Sequence, residues 1–221
     1  MKSLLTLLIF LILFRNCFSQ TTPEQGQPVN KFYIIAGYGV AGSFFVRSYD
    51  EFNPLPDNAV FYKKNFIGVA QNIGVGINLK NNYQIQFGFN FQHFTRHINV
   101  EQTLGNVFIY LDHTIHHRDY IWYGGLNKGI GTKKHFISPG LGIYYLRPKQ
   151  EEVEIYSRYF SNVERGFKKF NLEEGGVYAE LAYEYKFQPR VNIGVKSQFY
   201  YTITAGYAES ITLFPYVKIL F

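Results

Sequence analysis

The chain holds a single cysteine, Cys17, a single methionine, Met1, and a single tryptophan, Trp122. One cysteine excludes an internal disulfide, so rigidity has to come from another source. Charged residues make up only 17% of the chain, well below the usual quarter. The net charge of +6 is mild and spread along the chain, which does not argue for a nucleic-acid partner. Helical periodicity is almost missing, which argues against a helical bundle. After the first twenty residues no apolar run is long enough to form a membrane helix.

What is present is aromatic and alternating. Phe and Tyr number 22 and 19, and aromatics are 19% of the chain, yet mean hydropathy is only −0.12. In YQIQFGFNFQHF, Tyr83, Ile85, Phe87, Phe89 and Phe91 fall on one face of an extended strand, and Gln84, Gln86, Gly88, Asn90 and Gln92 on the other. The same split places Val177, Leu181, Tyr183, Tyr185 and Phe187 opposite Glu180, Glu184 and Lys186. It also places Val191, Ile193, Val195, Phe199 and Tyr201 opposite Asn192, Gly194, Lys196 and Gln198. High aromatic content, weak mean hydropathy and strict alternation are what a membrane β-barrel requires, with one face to lipid and the other inward.

The opening MKSLLTLLIFLILFRNCFSQ has a basic start at Lys2, an apolar run from Leu4 to Phe14, and small residues Cys17 and Ser19 before Gln20. It reads as a secretory signal peptide over residues 1–19. Its removal would take the only cysteine and, with Lys2 and Arg15, lower the net charge to +4. A short periplasmic segment over 20–30 and one barrel over 31–221 would follow. The expected strands are Lys31–Phe45, Asn65–Leu79, Tyr83–Thr103, Val107–Ile130, His135–Arg147, Gly175–Phe187, Val191–Thr204 and Glu209–Phe221. Tight connections at LKNNY, GTKKH and FQPRV alternate with mostly longer ones, including a charged loop over Pro148–Glu174. Strands three and four are long enough to project beyond the bilayer and meet at a Gly105-Asn106 turn.

Inward-facing charges are the candidate site: Glu180, Glu184, Lys186, Lys196 and Lys218, joined by Arg96 and Asp119. Charge on the lipid face is costly, by about 2–4 kcal/mol for Arg or Lys at the midplane. An eight-stranded bore is just wide enough for side chains to fill. Pairing Phe187 with Val191 sets Ala182 opposite Lys196 and Glu184 one diagonal away, so Glu184 and Lys196 are expected to pair. No catalytic, cofactor or metal site is assigned. GYGVAG, Gly37 to Gly42, matches a dinucleotide-binding spacing with Asp57 downstream, but no helix follows it. In DHTIHHRD, Asp112 to Asp119, the H-x-x-H spacing fails on a strand, although His97 would lie diagonal to His116 across the hairpin. Ser157, Ser161 and Ser210 lie away from the histidines, against a Ser-His hydrolase.

The chain resembles the small eight-stranded outer-membrane barrels of Gram-negative bacteria, in particular the "outer membrane protein β-barrel domain" families common in Bacteroidota. The leader, the alternating strands, SPGLGIYYLR at Ser138–Arg147 and the closing YVKILF carry the likeness. It implies placement in the cell outer membrane among its lipids and lipopolysaccharide. It also implies recognition of Val217, Ile219 and Phe221 by the barrel-insertion machinery. The expected role is structural or interaction-based, through a partner at the extracellular loops, with a plugged lumen and no cofactor. A narrow solute channel, a lipid A-modifying enzyme and an accessory barrel of a type IX-like secretion or assembly machine are the alternatives.

Overall fold

In a computed structural model the chain folds as a closed antiparallel β-barrel. The structure describes residues 32–44, 66–104, 107–132, 134–156, 162–168, 173–204 and 206–221, with side chains over 32–44, 67–95, 114, 116–132, 134–149, 173–204 and 206–221. The leader, the 20–30 segment, Asp57, the Gly105-Asn106 turn, Ser157 and Ser161 lie outside the described residues.

The strands are β1 (Phe32–Ser43), β2 (Phe66–Asn78), β3 (Tyr83–Leu104), β4 (Val107–Lys128), β5 (Ile130–Gly131), β6 (His135–Tyr156), β7 (Asn162–Lys168), β8 (Glu174–Gln188), β9 (Val191–Thr202) and β10 (Tyr207–Leu220). Eight of them form the wall, in the cyclic order β1-β2-β3-β4-β6-β8-β9-β10, with β10 returning to β1. The short β5 and the hairpin strand β7 both pair with β6.

Closure fixes the stagger. Ala36 faces Ile73, and the partners run on through Phe89 and Trp122 to Tyr145 of β6. In the other direction Ala36 faces Val217, then Ile193, Tyr185 and His135, again on β6. The two paths reach β6 ten residues apart, at 145 and 135, because the strands of a closed eight-stranded sheet must tilt.

Alternation sorts the two faces. Outward positions carry Ile, Val, Leu, Phe and Tyr, with Ile67 83% and Ile143 71% exposed. Inward positions carry Tyr33, Tyr123, Tyr178, Tyr200, Phe214 and the buried polar set. An apolar exterior around a polar interior inverts the soluble sandwich and matches a wall that faces lipid. Among the described residues no helix is long and apolar enough to cross a membrane; the crossing elements are strands.

One end has tight connections. Lys80–Asn82 forms a single 3-10 turn in which Asn81 and Asn82 take positive φ near 60°, a region Asn tolerates. Pro189 and Arg190 turn β8 into β9. At the other end β3 and β4 pair over their whole length up to Leu104 and Val107. The region read as a charged loop over Pro148–Glu174 is different. Here β6 continues to Tyr156 and β7 folds back on it, giving a second projecting hairpin. The charged residues in EEVEIY leave no apolar alternation in the sequence, so the extended segment was not readable there. The connection from β9 to β10 is tight, although it lies at the end with the long hairpins.

GYGVAG lies inside β1. A Cβ on Gly37 would run into the Phe214 ring, and one on Gly39 into the Leu213 carbonyl oxygen and the Cβ of Phe214, so these glycines let β10 and its inward aromatic come close.

Candidate functional site

The polar groups of the lumen form two ion pairs held in a neutral network. Lys218, from β10, places Nζ 2.9 Å from Glu184 Oε1 and donates to Gln84 Oε1 at 3.0 Å. Asn192 donates to the second Glu184 oxygen at 2.9 Å, and the Lys218 ammonium lies 4.2 Å from the centre of the Tyr33 ring. One layer further in, Lys196 Nζ lies 3.1 Å from Glu180 Oε1. Asn127 and Gln198 each donate to Glu180 at 2.8 Å, and Lys196 also donates to Gln86 at 3.1 Å. These four charged side chains are buried, and their remaining valences are met by amides, as buried ions require.

The register of β8 and β9 does set Ala182 opposite Lys196. The expected Glu184–Lys196 pair does not form. Lys196 stands diagonal to both glutamates, and it takes Glu180, whose direct partner is Gln198. Lys218 reaches over Asn192 of the intervening strand to take Glu184. Cross-strand reasoning over one hairpin could not see this, because the winning cation belongs to the strand beyond.

The other named residues stand apart from these pairs. Lys186 is half-buried near the mouth with tight turns, its ammonium 5.9 Å from the centre of the Phe136 ring. Asp119 is buried on the far side of the network, 2.8 Å from His117 Nε2. Arg96 lies opposite Ile115 in the projecting hairpin, and its side chain is outside the described set. Val217, Ile219 and Phe221 point outward, and Phe221 N–H donates to Phe32 O at 2.9 Å across the closing seam.

Neutral residues carry as much of the network as the charges. Gln86 donates to Tyr123 OH at 2.9 Å, and Tyr123 donates to Asn72 at 3.1 Å. Asn90 spans the bore to Gln198 and Tyr200, at 3.2 and 3.1 Å. Tyr144 and Thr202 share a hydrogen bond of 2.7 Å, and Thr202 donates to Glu209 at 3.2 Å. Ring edges close the gaps: Tyr123 on Tyr178 and Tyr144 on Tyr200 meet at 73° and 81°. Alternation had placed Gln86, Asn90 and Gln198 inward. It gave no sign that inward tyrosines would be the filler, because tyrosine also suits the lipid interface. Among the described residues the lumen is therefore lined by buried amides, phenols and paired ions that tie wall strand to wall strand.

On the outside, the histidine that meets His116 is His93, with Nε2 and Nδ1 3.2 Å apart, a pair that the sequence reading did not name. His97 lies opposite Thr114, one diagonal from His116, with its side chain outside the described set. Among the described residues no group of three metal-ligating side chains gathers.

No protein-family model matches the chain, and no curated protein does. Solved structures do resemble it. Neisserial surface protein A superposes with a TM-score of 0.53 at 12% identity, covering 86% of this chain and 97% of that one. The attachment invasion locus protein Ail of Yersinia pestis, in complex with a heparin analogue, gives 0.47 at 12% identity, covering 86% and 98%. The N-terminal β-barrel domain of Pseudomonas aeruginosa OprF gives 0.47 at 11%, covering 88% and 100%. The first of these likenesses establishes the fold, that of a small eight-stranded outer-membrane barrel.

Proposed function

We propose that this chain is an outer-membrane barrel that acts as a structural or interaction protein through its projecting hairpins. In this reading residues 1–19 direct export, the residues around Phe221 address the chain to the insertion machinery, and lipids and lipopolysaccharide surround the wall. The observation that carries it is the contrast between bore and rim. The bore is filled by buried side chains, whereas β3, β4 and β6 each run 22 residues, about twice what crossing needs. Paired strand that exceeds the membrane offers surface to a partner in the medium.

The test uses single cysteines at Thr103, in the β3–β4 hairpin, and at Asn82, in a tight turn, with Cys17 absent from the exported chain. Intact cells are treated with a membrane-impermeant thiol cross-linker. Thr103→Cys should be labelled and should yield a discrete cross-linked product, and Asn82→Cys should yield neither. Equal labelling of both positions would overturn the orientation. Labelling of Thr103→Cys without any cross-linked product would overturn the interaction role.

A further inference from the structure

Outward positions around the wall are not equivalent. On β1, β2, β8, β9 and β10 the described outward residues carry no charge. On β4 and β6 they do, in an ordered way, and β3 adds His93 beside them. Phe89, Trp122 and Tyr145 stand opposite one another in one row across these strands. The next row outward is Phe91, Tyr120 and Arg147, and the next is His93, Arg118 and Lys149. Ring contacts run along each row, Phe89 to Trp122 at 5.3 Å, Trp122 to Tyr145 at 5.6 Å and Phe91 to Tyr120 at 5.3 Å, and Phe89 to Tyr120 at 6.3 Å joins the two. The Lys149 ammonium lies 5.3 Å from the centre of the Tyr120 ring. At the margin of the patch Glu173 is hydrogen-bonded to Tyr145.

Height places this patch. From Tyr83, beside the tight turn, to His93 is ten residues along β3. At about 3.3 Å per residue and a tilt of about 40°, that is a rise of roughly 25 Å. The apolar band of an outer-membrane barrel is about 25 Å tall and bounded by aromatic rows. The aromatic rows therefore lie just inside the outer boundary of the hydrocarbon, and the row with Arg118 and Lys149 lies at it, at headgroup level, on one side of the molecule.

We infer that this face binds the phosphorylated saccharide headgroup of an outer-leaflet glycolipid. A phosphate monoester carries close to two negative charges and three acceptor oxygens. A guanidinium presents paired donors that match them, and an ammonium adds a point charge. The rings below offer apolar and aromatic surface for the first part of the acyl chains. Two arginines and a lysine, with two histidines beside them, complement an anion and repel a cation. The same surface turned toward a second barrel would bring like charges together. The inference rests on the outer-membrane placement proposed above and not on any partner of the hairpin tip.

The single tryptophan, Trp122, lies in the first row and reports the site directly. The full exported chain is placed in phosphatidylcholine nanodiscs with rising fractions of diphosphoryl lipid A, and Trp122 emission is read. The expected result is a saturable change that weakens with added salt. Removing two interfacial cations should move the midpoint about tenfold or more, so R118Q/K149Q should need that much more lipid. R118K should fall between it and the wild type. K134Q, at the other rim, should match the wild type. Retained heat-modifiable migration certifies that each variant is folded. An equal response to dephosphorylated lipid A or to phosphatidylglycerol would overturn the inference, as would an unshifted R118Q/K149Q or no response at all. Surface labelling of Thr103→Cys is read separately, so a failed placement and a failed headgroup site give different results.

Discussion

At the scale of single residues, the two lumen pairs make a sharp statement about partnership. Glu184→Ala leaves Lys218 buried without its counter-charge, and breaking a buried pair from one side costs about 3–5 kcal/mol. Adding Lys218→Ala should recover part of that loss, because the stranded ion is gone. Adding Lys196→Ala instead should recover nothing, since it strands Glu180 as well. Urea unfolding in detergent, followed by Trp122 emission, measures all four proteins, and recovery with Lys196→Ala would refute the pairing. The sequence made the facing of Glu180, Glu184, Lys196 and Lys218 legible, because period-two alternation leaves a strand residue only two directions. It did not make the partners legible. Lys218 meets Glu184 over a strand that lies between them, and that contact exists only once β8, β9 and β10 are side by side.

At the scale of elements, the β4–β6 seam brings backbone against backbone. A Cβ on Gly142 would strike the Gly124 carbonyl oxygen and the Tyr178 ring, and would lie 2.7 Å from the Gly125 Cα. Backbone cannot give way as a flexible side chain can. Gly142→Ala should therefore destabilise the barrel by about 1–3 kcal/mol, the usual cost of overpacking. Gly175→Ala is the control: its new Cβ would have its nearest neighbour at an ordinary 3.7 Å, so its unfolding midpoint should stay close to wild type. If both variants behave alike, strand propensity and not crowding sets the cost. Element existence and order were readable from alternation and turn residues at all eight wall strands. The outer half of β6 was not, because Glu151, Glu152 and Glu154 leave no apolar alternation to read.

At the scale of the whole molecule, a filled bore and a closed sheet are the same fact seen from inside and outside. Phe94, Tyr200, Phe214, Lys196 and Lys218 are among the largest fully buried side chains, and they come from three different wall strands. The barrel in a planar bilayer should show no steady conductance at neutral pH, and single-channel recording checks this. A stable ion-selective current, changed by Lys196→Ala, would instead make the lumen a pathway. The outer-membrane fold itself could be inferred from composition and alternation, since few other architectures ask for so many aromatics at so low a mean hydropathy.

The seam between β1 and β10 has a kinetic consequence. No wall strand can leave without baring two rows of backbone donors and acceptors in hydrocarbon, each costing several kcal/mol. Partial melting from one end, the ordinary fate of an open sheet, is therefore closed to this molecule. Its loss of structure becomes a rare, all-at-once event, and what selection or engineering adjusts is how long the barrel persists rather than how much of it is frayed.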